Sequence, residues 1–166
     1  MNDPGGLPAF ERHGRPATGA GLGSHVVELQ IPPRRDYLAV ARRFVTAAAN
    51  IEAGLADEQL SNLQVAVSEA CTNAINAHEA LGVSDAIAIR CAVDASSVEV
   101  VISDHGGGFD PAAVVALPEP TDPRRLDFES GLGLRLMHAL ADRLEIRSST
   151  WGTAVHVVML ARRGTC

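Results

Sequence analysis

Residues 68–76 read SEACTNAIN, and the interpretation of the whole chain starts from this stretch. It lies in a run from Asp57 to Leu81 whose apolar residues recur at helical spacing, so the run predicts one long helix. Glu69 and Asn73 are four residues apart and therefore share a helix face. In an apolar segment they need polar partners, which Mg²⁺ and its waters would supply. Glu69 is then a candidate general base, although the pair alone is more typical of a solvent-facing polar stripe.

The segments on either side of this helix favour an α+β fold. Short turns between neighbouring strands predict a mixed, largely antiparallel sheet, with helices on one face in a two-layer α/β sandwich. Asp36 is the expected N-cap of the first helix, and Gly54 its expected C-terminal signal. Strands are predicted at 24–31, 86–93, 98–103, 144–149 and 153–161, and helices at 36–53, 57–81 and 131–141.

Asp104 directly follows the VEVVIS strand and begins the sequence DHGGGF. A carboxylate at a strand end can accept a hydrogen bond from an exocyclic amine such as adenine N6. Gly106 and Gly108 allow a planar base to approach the backbone closely. Glycine-rich stretches are common in hairpin loops, so this motif is weak when taken alone.

Two further glycine motifs follow. In SGLGLRLM, Gly131 and Gly133 open a predicted helix, where free backbone N–H groups favour phosphate. The lysine of a P-loop is absent from the chain. Near the C-terminus, Gly152 and Thr153 join two strands, and an inward-facing Thr153 hydroxyl would assist Asp104 through a shared water.

Composition narrows the class of protein. The chain has 166 residues, a net charge of −6 and 46% hydrophobic residues, which describes one globular domain and argues against a general nucleic-acid binder. Aromatic residues make up only 4%, so the core must consist mainly of Ala, Val, Leu and Ile. Cys71 and Cys91 lie in apolar patterns and are interpreted as small buried hydrophobes. No stretch is long enough to span a membrane and no signal peptide is apparent, so the predicted location is cytoplasmic.

Together, SEACTNAI, ISDHGGGF, SGLGLRLM and GTAV resemble the N box, G1 box, G2 box and closing Gly-Thr of GHKL (Bergerat-fold) ATPases. The resemblance covers about residues 25–161 and is closest to the bacterial anti-sigma factor and serine-protein kinase branch. It implies an ATP-binding domain at 24–163 with an ATP lid at about 110–130. Residues 1–23, rich in Gly and Pro, are predicted to be a flexible tail.

The resemblance also implies a role for each matching residue, with ATP and Mg²⁺ as cofactors. Asn73 would coordinate Mg²⁺, and Glu69 would activate the acceptor serine of a partner. Asp104 would bind adenine N6. The remaining matches are the G1 glycines Gly106 and Gly108, the G2 glycines Gly131 and Gly133 at the phosphates, and Thr153 beside the adenine pocket.

The implied function is an ATP-binding anti-sigma factor and serine-protein kinase. Such a protein sequesters a sigma factor and phosphorylates a serine of a STAS-type anti-anti-sigma protein, often as a homodimer. The alternative is a partner-switching module that binds ATP without kinase activity. The catalytic half of a histidine kinase is disfavoured, because the region before Ser24 is too short and irregular for a dimerisation helix. A small ATPase without a partner is the last alternative.

Three features depart from the family pattern or stay open. His78 lies one position later than the histidine that often follows the N-box Asn, and it is predicted to be an ordinary surface residue without a phosphate contact. Arg124 and Arg125 in the lid either reach phosphate or form a solvated basic pair. A second basic group either binds an acidic or phosphorylated partner or is a charged helix face: Arg34, Arg35, Arg42 and Arg43.

Overall fold

The computed structural model describes residues 24–108 and 129–162. Within these ranges, five strands form one sheet in the order β1-β2-β3-β5-β4, and every neighbouring pair is antiparallel. A short 3₁₀ turn at Arg35–Tyr37 precedes the first helix. The elements are β1 (His25–Ile31), α1 (Leu38–Glu52), α2 (Asp57–Leu81), β2 (Ile87–Asp94), β3 (Ser97–Ser103), α3 (Glu129–Leu140), β4 (Arg143–Ser149) and β5 (Gly152–Leu160).

The sheet buries one face against the helices. Along β2 and β3, buried residues alternate with partly exposed ones, which is the period expected when only one side of a sheet is covered. The register places Ile89 opposite Ile102, and Ile102 opposite Val155, so the buried side chains form rows across the strands. The predicted two-layer α+β fold is confirmed.

Small side chains fill the layer between helices and sheet. Ala41 and Ala49 of α1 and Ala66 of α2 are fully buried. The core around them consists mainly of Val, Ile, Leu and Ala, as the low aromatic content predicts. Because small side chains occupy little volume, the helices can pack closely on the sheet.

The two described cysteines belong to this core. Cys71 on α2 and Cys91 on β2 are both fully buried and free. Burial raises the pKa of each thiol to about 12, so neither forms a thiolate near neutral pH. Both behave as small hydrophobes, as predicted.

The glycines correctly predict where α1 and α2 end, whereas the polar residue Asp36 does not mark where α1 begins. Gly82 directly follows α2 with a φ of 64°, and Gly54 follows the C-cap Ala53 of α1 with a φ of 55°; glycine adopts such positive φ values most easily. The prediction of Asp36 as an N-cap is wrong, because α1 begins at Leu38 after the 3₁₀ turn. Asp36 instead accepts a hydrogen bond from Arg34 at 2.6 Å.

The third helix also differs from the prediction in its start. It begins at Glu129, two residues before the predicted start at Gly131, so the Gly-x-Gly pair lies inside the helix. Acidic residues are favoured in a first helical turn, so the sequence is compatible with this earlier start at Glu129. The predicted tail at 1–23 and residues 110–128 of the predicted lid lie outside the described residues.

Candidate functional site

A cavity of about 310 Å³ lies between α2, α3 and the strands β3, β4 and β5. This volume is within the range of small-molecule sites, which are mostly apolar with a few polar groups that fix orientation. The lining here has the same character. Its apolar residues are Ala70, Ala77, Leu134, Met137, Ile146 and Val155; the other lining residues are Asn73, Asn76, Asp104, Gly108 and Thr153.

Asp104 is the charged residue of the described lining. The residue is 9% exposed, and its Oδ1 accepts a hydrogen bond from the backbone N–H of Gly106 at 2.7 Å. Burial raises the pKa of this carboxyl above its ordinary value, and the Gly106 N–H opposes that shift. The backbone N–H of Asp104 donates to the carbonyl of Thr153 at 2.9 Å, which ties the β3 end to β5. Asp104 is therefore a fixed acceptor at the cavity wall.

Two glycines allow the loop after β3 and the β4–β5 turn to meet around Asp104. Gly108 has a φ of 68°, and a Cβ there would collide with the backbone carbonyl of Ser149. Gly152 has a φ of 147°, and a Cβ there would collide with the carbonyl of Asp104. Neither position tolerates a side chain without moving backbone. The loop after β3 and the β4–β5 turn consequently lie in direct contact.

Glu69 and Asn73 lie one helical turn apart on α2, and both are half-buried. Asn73 lines the cavity, whereas the Glu69 carboxylate lies beside α3. A Cβ on Gly133 would come within 2.5 Å of Glu69 Oε2, so the glycine makes room for this carboxylate. The helix thus points an amide into the cavity and holds a carboxylate next to it.

Comparison with known proteins identifies the family of this chain. Residues 31–159 match the histidine kinase-like ATPase domain. This chain belongs to that ATPase family. The serine-protein kinase RsbW of Bacillus pumilus is 32% identical over 142 residues, which are 82% of this chain and 87% of the relative. RsbW of Bacillus subtilis is 30% identical over 125 residues, 74% of this chain and 78% of the relative.

These relatives place the chain in the RsbW serine-protein kinase branch of the ATPase family. A crystal structure of the RsbU and RsbW domains of a Mycobacterium tuberculosis protein has the same fold, with a TM-score of 0.59 and 18% identity. The match covers 83% of this chain and 32% of that chain. The GHKL resemblance seen in the motifs is therefore confirmed at the level of family and fold.

The structure brings part of the predicted ATPase site together. The residues that line the common cavity are Asn73, Asp104, Gly108 and Thr153. Gly106 packs against Ala77 of α2, and the Thr153 hydroxyl lies 3.2 Å from that of Ser148. Glu69 and Gly133 contact each other beside the cavity, and Gly131 lies in the first turn of α3. Their roles toward a nucleotide stay predictions.

Two residues in or next to the cavity were not indicated by the motifs. Asn76 lines the cavity one helical turn after Asn73, and the spacing of three residues could have indicated it. His78 is fully buried, so its prediction as a surface residue is wrong. The late position rotates it onto the same face as the buried Ala74 and Ile75.

The four arginines of the basic group do not form one uniform patch. Arg35 donates to Asn76 Oδ1 at 2.7 Å, and Arg42 donates to Ser68 Oγ at 3.3 Å. Arg34 pairs with Asp36, and Arg43 is exposed. Two arginines are therefore attached to α2 on either side of the Glu69–Asn73 turn. Arg124 and Arg125 lie outside the described residues.

The described residues also bear on metal and membrane binding. Within 24–108 and 129–162, no group of three or more His, Cys, Asp or Glu side chains is arranged to hold a metal ion. The Asn73 amide offers one hard oxygen at the cavity, which suits Mg²⁺, because this ion usually takes few protein ligands and keeps phosphate and water. None of the helices in these ranges has the length and apolarity needed to cross a bilayer.

Proposed function

We propose that this chain binds Mg-ATP in the α2–α3 cavity and transfers the γ-phosphoryl group to a serine of a partner protein. The observation that carries the proposal is the convergence of Asn73 and Asp104, distant in sequence, on one largely apolar cavity. The match to RsbW serine-protein kinases over most of the chain supports the same reaction class. The proposed substrate is a STAS-type anti-anti-sigma protein, and a sigma factor is the proposed sequestered partner.

The orientation of ATP follows from the two ends of the cavity. Apolar walls suit the adenine ring, and the Asp104 carboxylate would accept a hydrogen bond from its exocyclic amine. Glu69 precedes Ala77 by eight residues, so about 12 Å of helix separates them. That span is comparable to the length of ATP from base to γ-phosphate. The triphosphate would therefore extend along α2 toward Asn73 and Glu69.

The chemistry at the other end needs a base and charge compensation. Asn73 would hold Mg²⁺ through its amide oxygen, and the ion would neutralise phosphate charge when bound. The Glu69 carboxylate would accept the proton of the serine hydroxyl as the serine oxygen bonds to the γ-phosphorus. The bond from the γ-phosphorus to the bridging oxygen breaks, and ADP leaves. Because Gly133 has no side chain, the Glu69 carboxylate can occupy the space beside it.

The partner surface of the proposed kinase includes the arginines beside this pair. Arg35 and Arg42 flank the Glu69–Asn73 turn, where they would meet acidic groups of a docking protein. A homodimer and a cytoplasmic location complete the proposal. Size-exclusion chromatography with light scattering, with and without a sigma factor, would test assembly.

Two measurements test the central proposal. Isothermal titration with ATP should show binding that strengthens with Mg²⁺, and this Mg²⁺ dependence should be lost in Asn73→Ala. Incubation with radiolabelled Mg-ATP and a panel of STAS-domain proteins should then give phosphoserine on one of them. Absence of ATP binding would refute the site. ATP binding and partner capture without phosphoserine would favour the partner-switching alternative.

A further inference from the structure

His78 makes a contact that the proposed reaction does not use. It lies in the last turn of α2 and is fully buried. Its Nε2 accepts a hydrogen bond from the backbone N–H of His105 at 3.0 Å. His105 is the residue directly after Asp104, so the bond joins the end of α2 to the loop that carries the candidate adenine acceptor.

The tautomer of the neutral His78 ring follows from this bond. Nε2 accepts a hydrogen bond, so the proton of the neutral ring is on Nδ1. Nδ1 is buried and has no hydrogen-bond partner among the described residues. An unsatisfied buried donor is unfavourable, and a leucine of similar size would avoid it. A buried histidine at this position is therefore best explained by a function of the Nε2 bond to His105.

Neighbouring contacts show what that bond holds in place. The residue before His78 is Ala77, which packs against Gly106 so closely that a Cβ on the glycine would overlap it. Gly106 in turn donates its N–H to Asp104. Ala77 and His78 therefore contact both residues that follow Asp104. The loop is fastened to α2 at successive positions.

We propose that His78 is a positioning residue for nucleotide recognition, which fixes the Asp104 loop to α2 through the His105 N–H. This inference rests on the proposed binding of ATP in the same cavity. Because α2 also carries Asn73 and Glu69, the bond sets the position of the base acceptor relative to the phosphate end. We expect this positioning of Asp104 to make the site selective for adenine, since guanine presents a carbonyl oxygen where adenine presents the amine.

The test compares three substitutions that differ in where they place an acceptor. In His78→Gln the amide oxygen can reach the position of Nε2, whereas in His78→Asn it reaches only as far as Nδ1. His78→Leu has no acceptor but fills similar space. Ile75→Val, one turn earlier in the buried face, is the control for a general loss of packing, because it removes one carbon from a fully buried side chain.

Three readouts separate positioning from simple stability. These are the hydrogen-exchange rate of the His105 amide in the apo protein, the Kd for Mg-ATP, and the ratio of the Kd values for GTP and ATP. We expect His78→Leu and His78→Asn to speed His105 exchange at least tenfold and weaken ATP binding roughly threefold to tenfold. The preference for ATP over GTP should fall by a similar factor. His78→Gln should restore all three.

Distinct outcomes would overturn the inference. Unchanged His105 exchange in His78→Leu would show that the bond does not protect this amide. Weaker ATP binding with unchanged ATP-to-GTP preference, matched by Ile75→Val and not restored by glutamine, would assign His78 a purely structural role. If the wild-type protein binds no ATP, the proposed function fails, whereas the exchange readout still tests the bond itself. If His78→Leu does not fold, the asparagine–glutamine pair carries the comparison.

Discussion

The two ends of the cavity differ in how far the folded chain completes them. At the base end, Asp104 is buried and bonded to Gly106 and Thr153, and its loop is fastened to α2. At the proposed phosphate end, Glu69 and Asn73 are half-buried, and their side chains form no hydrogen bonds with other described residues. If ATP binds in the proposed orientation, the fold therefore holds the base acceptor in place before the nucleotide binds. In that orientation, Mg-ATP and the acceptor serine would provide polar partners for Glu69 and Asn73.

The largest expected effect comes from breaking the reactive end alone. Glu69→Gln keeps the size of the side chain but removes the base, so phosphotransfer should fall by about 10²–10⁴-fold. ATP affinity should change little, because Glu69 lies beside the cavity and does not line it. Quenched-flow assays and titration of the same preparation measure both quantities. A kinase rate close to wild type would remove Glu69 from the reaction.

The matching substitution at the base end should affect binding first. Asp104→Asn retains an oxygen for the Gly106 N–H but removes the charge offered to the adenine amine. A hydrogen bond to a charged group contributes about 1.5–3 kcal/mol, so the Kd for ATP should rise by roughly tenfold or more. Calorimetric titration provides the value. Wild-type affinity in this variant would contradict the assignment of Asp104.

A glycine pair tests whether the base end is built by close approach of backbone. Gly108 and Gly82 have similar φ values of 68° and 64°, but only Gly108 has backbone within reach of a Cβ. Gly82→Ala should cost about 1–2 kcal/mol of unfolding free energy for the left-handed conformation. Gly108→Ala should cost clearly more, and it should weaken ATP binding as well. Urea unfolding of both variants measures the two losses of unfolding free energy. Equal losses would mean that the backbone at Ser149 moves away from the new Cβ without cost.

The smallest expected effect is a pH dependence of stability in the apo protein. Burial raises the pKa of Asp104 above its unfolded value, so its contribution to stability is fully present below the unfolded pKa and is lost as pH rises through the folded pKa. Asp104→Asn does not titrate. It should therefore be more stable than wild type at pH 7, and its advantage should shrink toward about pH 4. An advantage that is the same at both pH values would argue against desolvation of the carboxylate.

The sequence predicted the fold better than the details of the site. Hairpins and helix ends follow local chemistry, as at Gly82, and alternation in β2 and β3 shows the buried face directly. Motif order then indicated Asn73 and Asp104. Motif comparison could not find His78, because its proposed role depends on a backbone N–H 27 residues later in the chain. Helical periodicity with Ala74 and Ile75 would have predicted its burial.

The single helix α2 has a consequence for how the chain can vary. It spans Asp57–Leu81 without interruption and carries the reactive pair, the Asn76 amide and the attachment of the Asp104 loop. One inserted or deleted residue between Asn73 and Ala77 would turn these groups about 100° relative to each other and shift them about 1.5 Å along the axis. The helix thus fixes the distances and angles between these groups. Changes in chain length are expected to be tolerated at the β2–β3 turn and not here.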